Sequence, residues 1–217
     1  MSEPALTPGA APYTPRVLKL YDALVLGLSN RFIWKCPTPA ILELYQRHVS
    51  ARHMDVGVGT GYFLDRCTFP SPEPRIALVD LSPDSLEYTA RRIARYQPTT
   101  HRLNVLEPFQ VEGGPFESVS LTYLLHCLPG DLASKSVFFD HLRPNLAPGA
   151  VVFGATILGA GVPHNFAARA VMRGYNKQGI FGNTHDTLDA LRAALEKRFS
   201  RHTIEIRGVV ALFTATL

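Results

Sequence analysis

The sequence predicts a single α/β domain built on a doubly wound, mostly parallel sheet, and three observations carry that prediction. Short apolar runs with strand character alternate with segments of helical periodicity along most of the chain. A glycine-alternating turn, Gly57-Val58-Gly59-Thr60-Gly61, joins a strand over residues 54–56 to a helix. Glycine tolerates positive φ and leaves bare backbone N–H groups at a helix N-terminus, against which a ligand can lie. Asp80 closes the next strand 23 residues beyond Gly57, close to the ~20 that a βαβ unit needs to bring an acid beside a bound ribose. About seven strands, the last antiparallel, and an N-terminal helical cap complete the expected architecture.

In chain order, residues 1–15 are rich in Pro, Ala, Gly and Thr, with neither a basic start nor an apolar core, and read as a flexible leader rather than a signal peptide. Residues 16–50 read as the helical cap. A first helix is expected over 16–28, with a stop at Ser29-Asn30. A second spans 39–49, with Thr38 as N-cap and Pro39 at the first helical position, where its missing N–H costs nothing. Pro37 argues against one continuous helix. Residues 51–217 carry the sheet. Ile76-Ala77-Leu78-Val79 forms the strand ending in Asp80, and Ser82-Pro83-Asp84 opens the next helix. Residues 101–105 read as the third strand and 116–123 as the central fourth. His126-Cys127-Leu128-Pro129-Gly130 then lies beyond its carboxyl end, where ligands of doubly wound sheets bind. A helix from about Leu132 should end before Pro144, and Ala147-Pro148-Gly149-Ala150 turns the chain into a fifth strand over 151–156. Glycines at 159, 161, 179 and 182 bound a helical stretch over 166–175, so residues 158–186 read as a lid insertion. A helix over 187–199 leads to strands over 203–206 and 210–216, an antiparallel pair turning at Arg207-Gly208-Val209.

Composition bounds the function. At 217 residues with 46% hydrophobic and 18% charged content, the chain buries a proper core without staples. Lys and Arg number 22 against 18 acids, and they are scattered rather than gathered in a stripe, which disfavours a nucleic-acid partner. No run is long and apolar enough to span a bilayer, so no membrane partner is expected. Three cysteines without metal-like spacing, Cys36, Cys67 and Cys127, fit reduced thiols in the cytoplasm. A monomer or a homodimer fits equally well.

The glycine spacing selects among nucleotides. A dinucleotide fingerprint needs a third glycine three positions after the second, and Tyr62 stands there. Asp55, two residues before the first glycine, sits where a carboxylate can meet a cationic amine. A ligand with an amino-acid end and a nucleoside end fits better than a diphosphate. Asp55-Val56-Gly57-Val58-Gly59-Thr60-Gly61 resembles the first motif of class I, Rossmann-like, S-adenosylmethionine-dependent methyltransferases, and the resemblance extends over roughly residues 45–217. It implies that Asp55, Gly57, Gly59, Thr60 and Gly61 hold the cofactor's amino-acid tail, that Asp80 accepts both ribose hydroxyls, and that Leu81 lies beneath the adenine. Asn104 would receive the adenine amino group, with the Val105 N–H against the ring. An ordinary Asx turn before Pro108 accounts for Asn104 equally well. Glu117 replaces the family's usual Asp, and Ala150 replaces the second glycine of its Pro-Gly-Gly turn.

Methyl transfer from a sulfonium is an in-line displacement that asks chiefly for alignment and exclusion of water. His126 is the candidate general base, its ordinary pKa lying near 6.5; a structural histidine bonded to a loop carbonyl is the alternative. Aromatic residues flank the site in sequence, and Tyr13, Tyr21, Trp34, Tyr175 and Phe181 are the candidate substrate wall, favouring an aromatic or lipophilic metabolite methylated on O, N or S. In the resembled superfamily, enzymes that methylate nucleobase amines or glutamine amides carry an Asn/Asp-Pro-Pro-aromatic run after the fourth strand; Leu124-Leu125-His126-Cys127 stands there, so nucleobase work lacks its usual grip. The fifth strand offers no cluster of carboxylates, so no metal is expected. Two other readings are a non-catalytic module that binds the same cofactor, as partner or sensor, and a nicotinamide-dependent oxidoreductase, the latter weakened by Tyr62.

Overall fold

The computed structural model describes residues 22–217, with the side chains of residues 23–25 excepted. The expected leader, Tyr13 and Tyr21 lie outside the described residues. The described residues open with a helix of wide, π-type turns, α1 (Asp22–Ile33), followed by α2 (Thr38–His48). The stop expected at Ser29-Asn30 is overrun by a turn. Asn30 points inward, its amide donating to the Thr38 hydroxyl (2.9 Å), and the Trp34 N–H bonds back to the Ser29 carbonyl. A polar side chain that finds a buried partner does not act as a terminator. Thr38 is the first residue of α2 rather than its cap, because its hydroxyl is spent on the Leu26 carbonyl.

The sheet is assembled from β1 (Arg52–Val56), β2 (Arg75–Asp80), β3 (Thr99–Arg102), β4 (Phe116–Thr122), β5 (Leu146–Ile157), β6 (Arg201–Arg207) and β7 (Val210–Thr216), in the order β3-β2-β1-β4-β5-β7-β6. The first five are parallel, and β7 runs antiparallel to both β5 and β6. This is the seven-stranded doubly wound sheet with an antiparallel last strand that the sequence predicts. The order reverses between β1 and β4, the switch point where such sheets open a crevice at their carboxyl ends.

Between strands the helices are α3 (Tyr62–Arg66), α4 (Pro83–Arg92), α5 (Leu132–Lys135), α6 (Val137–Leu142), α7 (Phe166–Lys177) and α8 (Leu188–Glu196). Ser82 caps α4 by accepting the Ser85 N–H, and Thr187 caps α8 by accepting that of Ala190. Strand periodicity sorts the core into two layers. Ile76 and Leu78 of β2 pack in one with Ile41 and Tyr45 of α2; Ala77 and Val79 pack in the other with Phe138 and Leu142 of α6 and Leu191 and Leu195 of α8. Each such Phe or Leu, fully withdrawn from water, is worth ~1.5–3 kcal/mol. β3 is short and ends at Arg102, so Asn104 and Val105 lie in the turn after it. β5 begins at Leu146, earlier than expected, because Leu146 already pairs with Phe116 before an irregularity in register. No helix among the described residues is long and apolar enough to cross a membrane.

Candidate active site

β1 and β2 stop side by side, Val56 paired with Val79, and each chain leaves the sheet by a turn. Gly57, Gly59 and Gly61 take φ values of 75°, 53° and 69°. Two of them do different work. A Cβ on Gly61 would lie 2.6 Å from the Thr89 methyl of α4, so this glycine lets the turn pack on the neighbouring helix; a Cβ on Gly59 would meet no protein atom within 4 Å and would project into open space. That space is a cleft of about 1070 Å³ including its mouth. Asp55, Gly57, Gly59, Thr60, Gly61, Asp80, Leu81, Asn104 and Val105 all line it.

Two carboxyl groups define the cleft's polarity. Asp55 is buried at the end of β1, accepting from the Tyr45 hydroxyl (3.2 Å) and from the Ser120 hydroxyl. Burial pushes its carboxyl up to about 7; the hydroxyl donors of Ser120 and Tyr45 oppose the shift, and the negative charge of Asp80 adds to it. Asp80 is partly buried and accepts the Ser82 N–H (2.8 Å); burial raises it to about 6, against backbone N–H groups of Ser82, Val58, Leu81 and Gly59. Asn104 makes the Asx turn, its Oδ1 accepting the Leu106 N–H (3.2 Å), and it also stands on the cleft wall.

A latch ties α1 to the glycine turn. The Thr60 hydroxyl donates to Asp22 Oδ1 (2.6 Å), and Arg92 of α4 bridges Asp22 Oδ2 (2.6 Å), Asp65 Oδ2 (3.2 Å) and the Thr60 carbonyl (3.2 Å). Leu26 of α1 thereby reaches the cleft. Tyr123, Leu124, Cys127, Leu128 and Pro129 also line the cleft, Leu124 packing against Gly57. Tyr123 holds φ of 63° and donates its hydroxyl to Asn30 Oδ1 (2.8 Å). A bulky residue in the left-handed region stores strain of order 1–3 kcal/mol, a feature concentrated at functional sites.

His126, Trp34, Tyr175 and Phe181 come together, but in an aromatic cluster beside the cleft rather than on its lining among the described residues. Phe181 stands edge-on to His126 (4.5 Å between centroids) and Tyr175 (5.0 Å), and Trp34 tilts against it at 6.1 Å. His126 is buried, its Nδ1 accepting the Ile157 N–H (3.3 Å), and burial plus the charge of Lys135 lower its pKa to about 3. The 158–186 insertion braces this turn: the Gly182 N–H donates to the His126 carbonyl (2.8 Å), and Lys135 Nζ reaches the Gly182 carbonyl (2.9 Å) and Asp186 Oδ2 (2.6 Å) in an ion pair with no side-chain exposure.

Sequence reasoning passed over Tyr45, Ser120, Tyr123, Asp22, Arg92 and the Lys135–Asp186 pair. One signal was there to be found. Ser118, Ser120 and Thr122 put three hydroxyls at period two on a central buried strand, where apolar residues are the rule.

S-adenosylmethionine fits the residues present. Asp55 meets only hydroxyl donors and no cation among the described residues, so a buried carboxyl is left for an ammonium group, and the Gly59 cradle is open where a Cβ would intrude. A methyltransferase domain model matches residues 54–152. The demethylluteothin O-methyltransferase of Streptomyces thioluteus is 42% identical over 95% of this chain and 90% of its own. The physcion biosynthesis cluster O-methyltransferase of Aspergillus chevalieri is 39% identical over 98% and 97%. Among solved structures, the DhpI complex with S-adenosylhomocysteine superposes with a TM-score of 0.68 at 14% identity, over 97% of this chain and 95% of that one, a likeness of fold. The oxidoreductase and the non-catalytic module fall away with these matches. Relatives of such identity along nearly its whole length, and a glycine-floored cleft between two strand-end carboxyls, place the chain in the family of class I S-adenosylmethionine-dependent methyltransferases.

Proposed function

We propose that this enzyme methylates a hydroxyl oxygen of a small aromatic or lipophilic metabolite. The observation that carries the reading is the pair of relatives named O-methyltransferases, each aligned over nearly all of both chains. The cleft supports it. Its acceptor end is apolar, formed by Leu26, Leu124, Leu128 and Pro129 around Tyr123, which suits a flat or greasy acceptor better than a sugar. When bound, S-adenosylmethionine supplies an electrophilic methyl group on a sulfonium.

The protein's own part is alignment and exclusion of water. Asp55 and Asp80 anchor the two ends of the cofactor, the glycine turn lies beneath it, and the latch from Asp22 to Arg92 holds the cap over it. No His, Asp or Glu lines the acceptor end among the described residues. An acceptor that ionises unaided near its own pKa, about 10 for a phenol, therefore suits the site better than an aliphatic alcohol. His126 is neutral with Nδ1 engaged, and we assign it a positioning role: it carries Phe181 and fixes the turn behind Cys127 and Leu128. Residues 22–50 act as cap, 51–217 as the catalytic domain, and 158–186 as a brace for the acceptor wall. Free thiols at Cys36, Cys67 and Cys127 support a reducing, cytoplasmic setting.

The test is a panel of phenols, enols, amines and thiols incubated with enzyme and S-adenosylmethionine. Release of S-adenosylhomocysteine is followed, and the methyl is located by NMR. Methyl ethers of phenols or enols are expected; products confined to amines or thiols would overturn the reading.

A further inference from the structure

Beneath Asp55 runs a buried polar chain that cofactor contact does not explain. The Ser120 hydroxyl touches Asp55 Oδ1; His53 Nε2 lies 2.9 Å from the Ser120 hydroxyl; His53 Nδ1 lies 2.8 Å from that of Ser118; and Ser118 Oγ lies 2.8 Å from the hydroxyl of the partly exposed Ser50. The register makes it possible, since His53 pairs with Ser118 and Asp55 with Ser120 across β1 and β4, and residues two apart share a face. His53 has no exposure at all, yet both ring nitrogens have hydroxyl partners and neither has an ionic one. A plain core position would take an apolar residue here at no such cost.

We propose that Ser120, His53 and Ser118 are positioning residues that carry away the proton of Asp55 when a ligand ammonium takes its place, by reversing the direction of every hydrogen bond in the chain. The inference rests on the cofactor reading above. With Asp55 protonated, its O–H donates to Ser120, Ser120 donates to His53 Nε2, and His53 Nδ1–H donates to Ser118. When the ammonium arrives, the Asp55 O–H bond breaks and its proton joins Ser120 Oγ. The Ser120 proton passes to Nε2, the Nδ1 proton passes to Ser118, and the former Ser118 proton leaves by way of Ser50 to solvent. The products are a carboxylate, the other neutral tautomer of His53 and two intact hydroxyls, so protons and charge balance without an oxidant or a metal. Hydroxyls and a neutral imidazole are the groups that can run in either direction, each being donor and acceptor at once.

The other groups around Asp55 do not titrate in its place. Tyr45 of α2 and Cys67 are kept protonated by burial, Cys67 at about 12, and burial keeps His53 neutral down to about 3. Asp80 on β2 is the other carboxyl in range and serves the nucleoside end. Burial leaves Asp55 titrating at about 7, so exchange of proton for ammonium falls below neutrality and vanishes above it.

The experiment uses the whole chain, 15N-labelled at histidine, with S-adenosylhomocysteine and with 5′-methylthioadenosine, which keeps the nucleoside and lacks the amino-acid tail. The His53 signals are assigned by their loss in His53→Gln. At pH 6, S-adenosylhomocysteine is expected to move His53 from the Nδ1–H to the Nε2–H tautomer. Methylthioadenosine should leave it unchanged, and at pH 8.5 the Nε2–H form should be present with or without ligand. Calorimetry in two buffers of different ionisation enthalpy should find S-adenosylhomocysteine releasing about half to one proton more than methylthioadenosine at pH 6.5. Both ligands binding with one unchanging His53 tautomer would overturn the relay and leave the cofactor site standing. Failure of both to bind would remove the cofactor reading, and the relay with it.

Discussion

The two walls of the cleft are held by different kinds of force. The proposed cofactor wall, from Asp55 through Gly61 to Asp80, is set by backbone: parallel pairing of β1 with β2, three left-handed glycines and a Pro83 start to α4. The proposed acceptor wall, from Tyr123 to Pro129, is set by contacts from far along the chain, most of them made through side chains. Tyr123 bonds to Asn30, Gly182 to the His126 carbonyl, Lys135 to Asp186, and the Asn165 amide to the Ile33 carbonyl (2.8 Å). A backbone-built wall tolerates little change in type but does not depend on partners. A wall made of staples can be reshaped for a new acceptor while the cofactor stays put.

The contrast breaks most visibly at the Lys135–Asp186 pair. Both groups are fully buried, and burial works against both charges, lowering the pKa of Lys135 and raising that of Asp186. Lys135→Met leaves one carboxyl buried alone, which costs about 3–5 kcal/mol. Chemical denaturation should register that loss, and Lys135→Met with Asp186→Leu should recover most of it. If the single variant keeps wild-type stability, the brace is not holding the acceptor wall. On the opposite wall the effect moves from stability to affinity. Asp80→Ala should weaken S-adenosylhomocysteine by about 100-fold or more, the scale of one or two hydrogen bonds to a charged group. Gly59→Val fills the open cradle with the same result. Calorimetric binding within a few-fold of wild type in either variant would count against the cofactor's placement.

The same contrast decides what was legible in the sequence. Strand order, the glycine turn and the strand-end acids are local patterns with fixed offsets, so nine residues expected to meet at one cleft do meet there. Trp34, Tyr175 and Phe181 are aromatic in the right neighbourhood, but which way an aromatic side chain faces depends on what packs behind it. Here they pack on one another and on His126. Ser29-Asn30 looked like a helix stop because a free Asn competes with the helix backbone. Once Tyr123 and Thr38 bind it, 93 and 8 residues away, that competition is gone. Long-range partners of this kind leave no trace at fixed spacing.

A smaller effect probes the seam between the walls. Arg92→Gln removes the cation that joins Asp22, Asp65 and the Thr60 carbonyl while leaving the glycine turn intact. With the three groups partly buried, about 1–2 kcal/mol of closure is at stake, so S-adenosylhomocysteine should bind roughly tenfold more weakly, chiefly through faster dissociation by stopped flow. The wild-type dissociation rate should also rise with salt, and that of the variant should not. A slower association with unchanged dissociation would show that the latch does not close over bound ligand.

The smallest expected effect at neutral pH is the sharpest on His126. The folded ring takes up a proton at about 3, the unfolded ring near 6.5. Between those values the unfolded state binds the extra proton, so stability falls as pH drops from 6.5 towards 3 and is unaffected above 7. His126→Gln should therefore flatten the acid limb of the stability curve by about one proton, with His53 supplying a second, independent slope. Activity should fall by less than about tenfold at pH 7.5, with the pH profile of kcat/KM keeping its shape, because a ring that stays neutral contributes no limb near 6.5. A profile that loses a limb near 6.5 in the variant would return His126 to the role of general base, and would mean that the aromatic cluster opens to admit the acceptor.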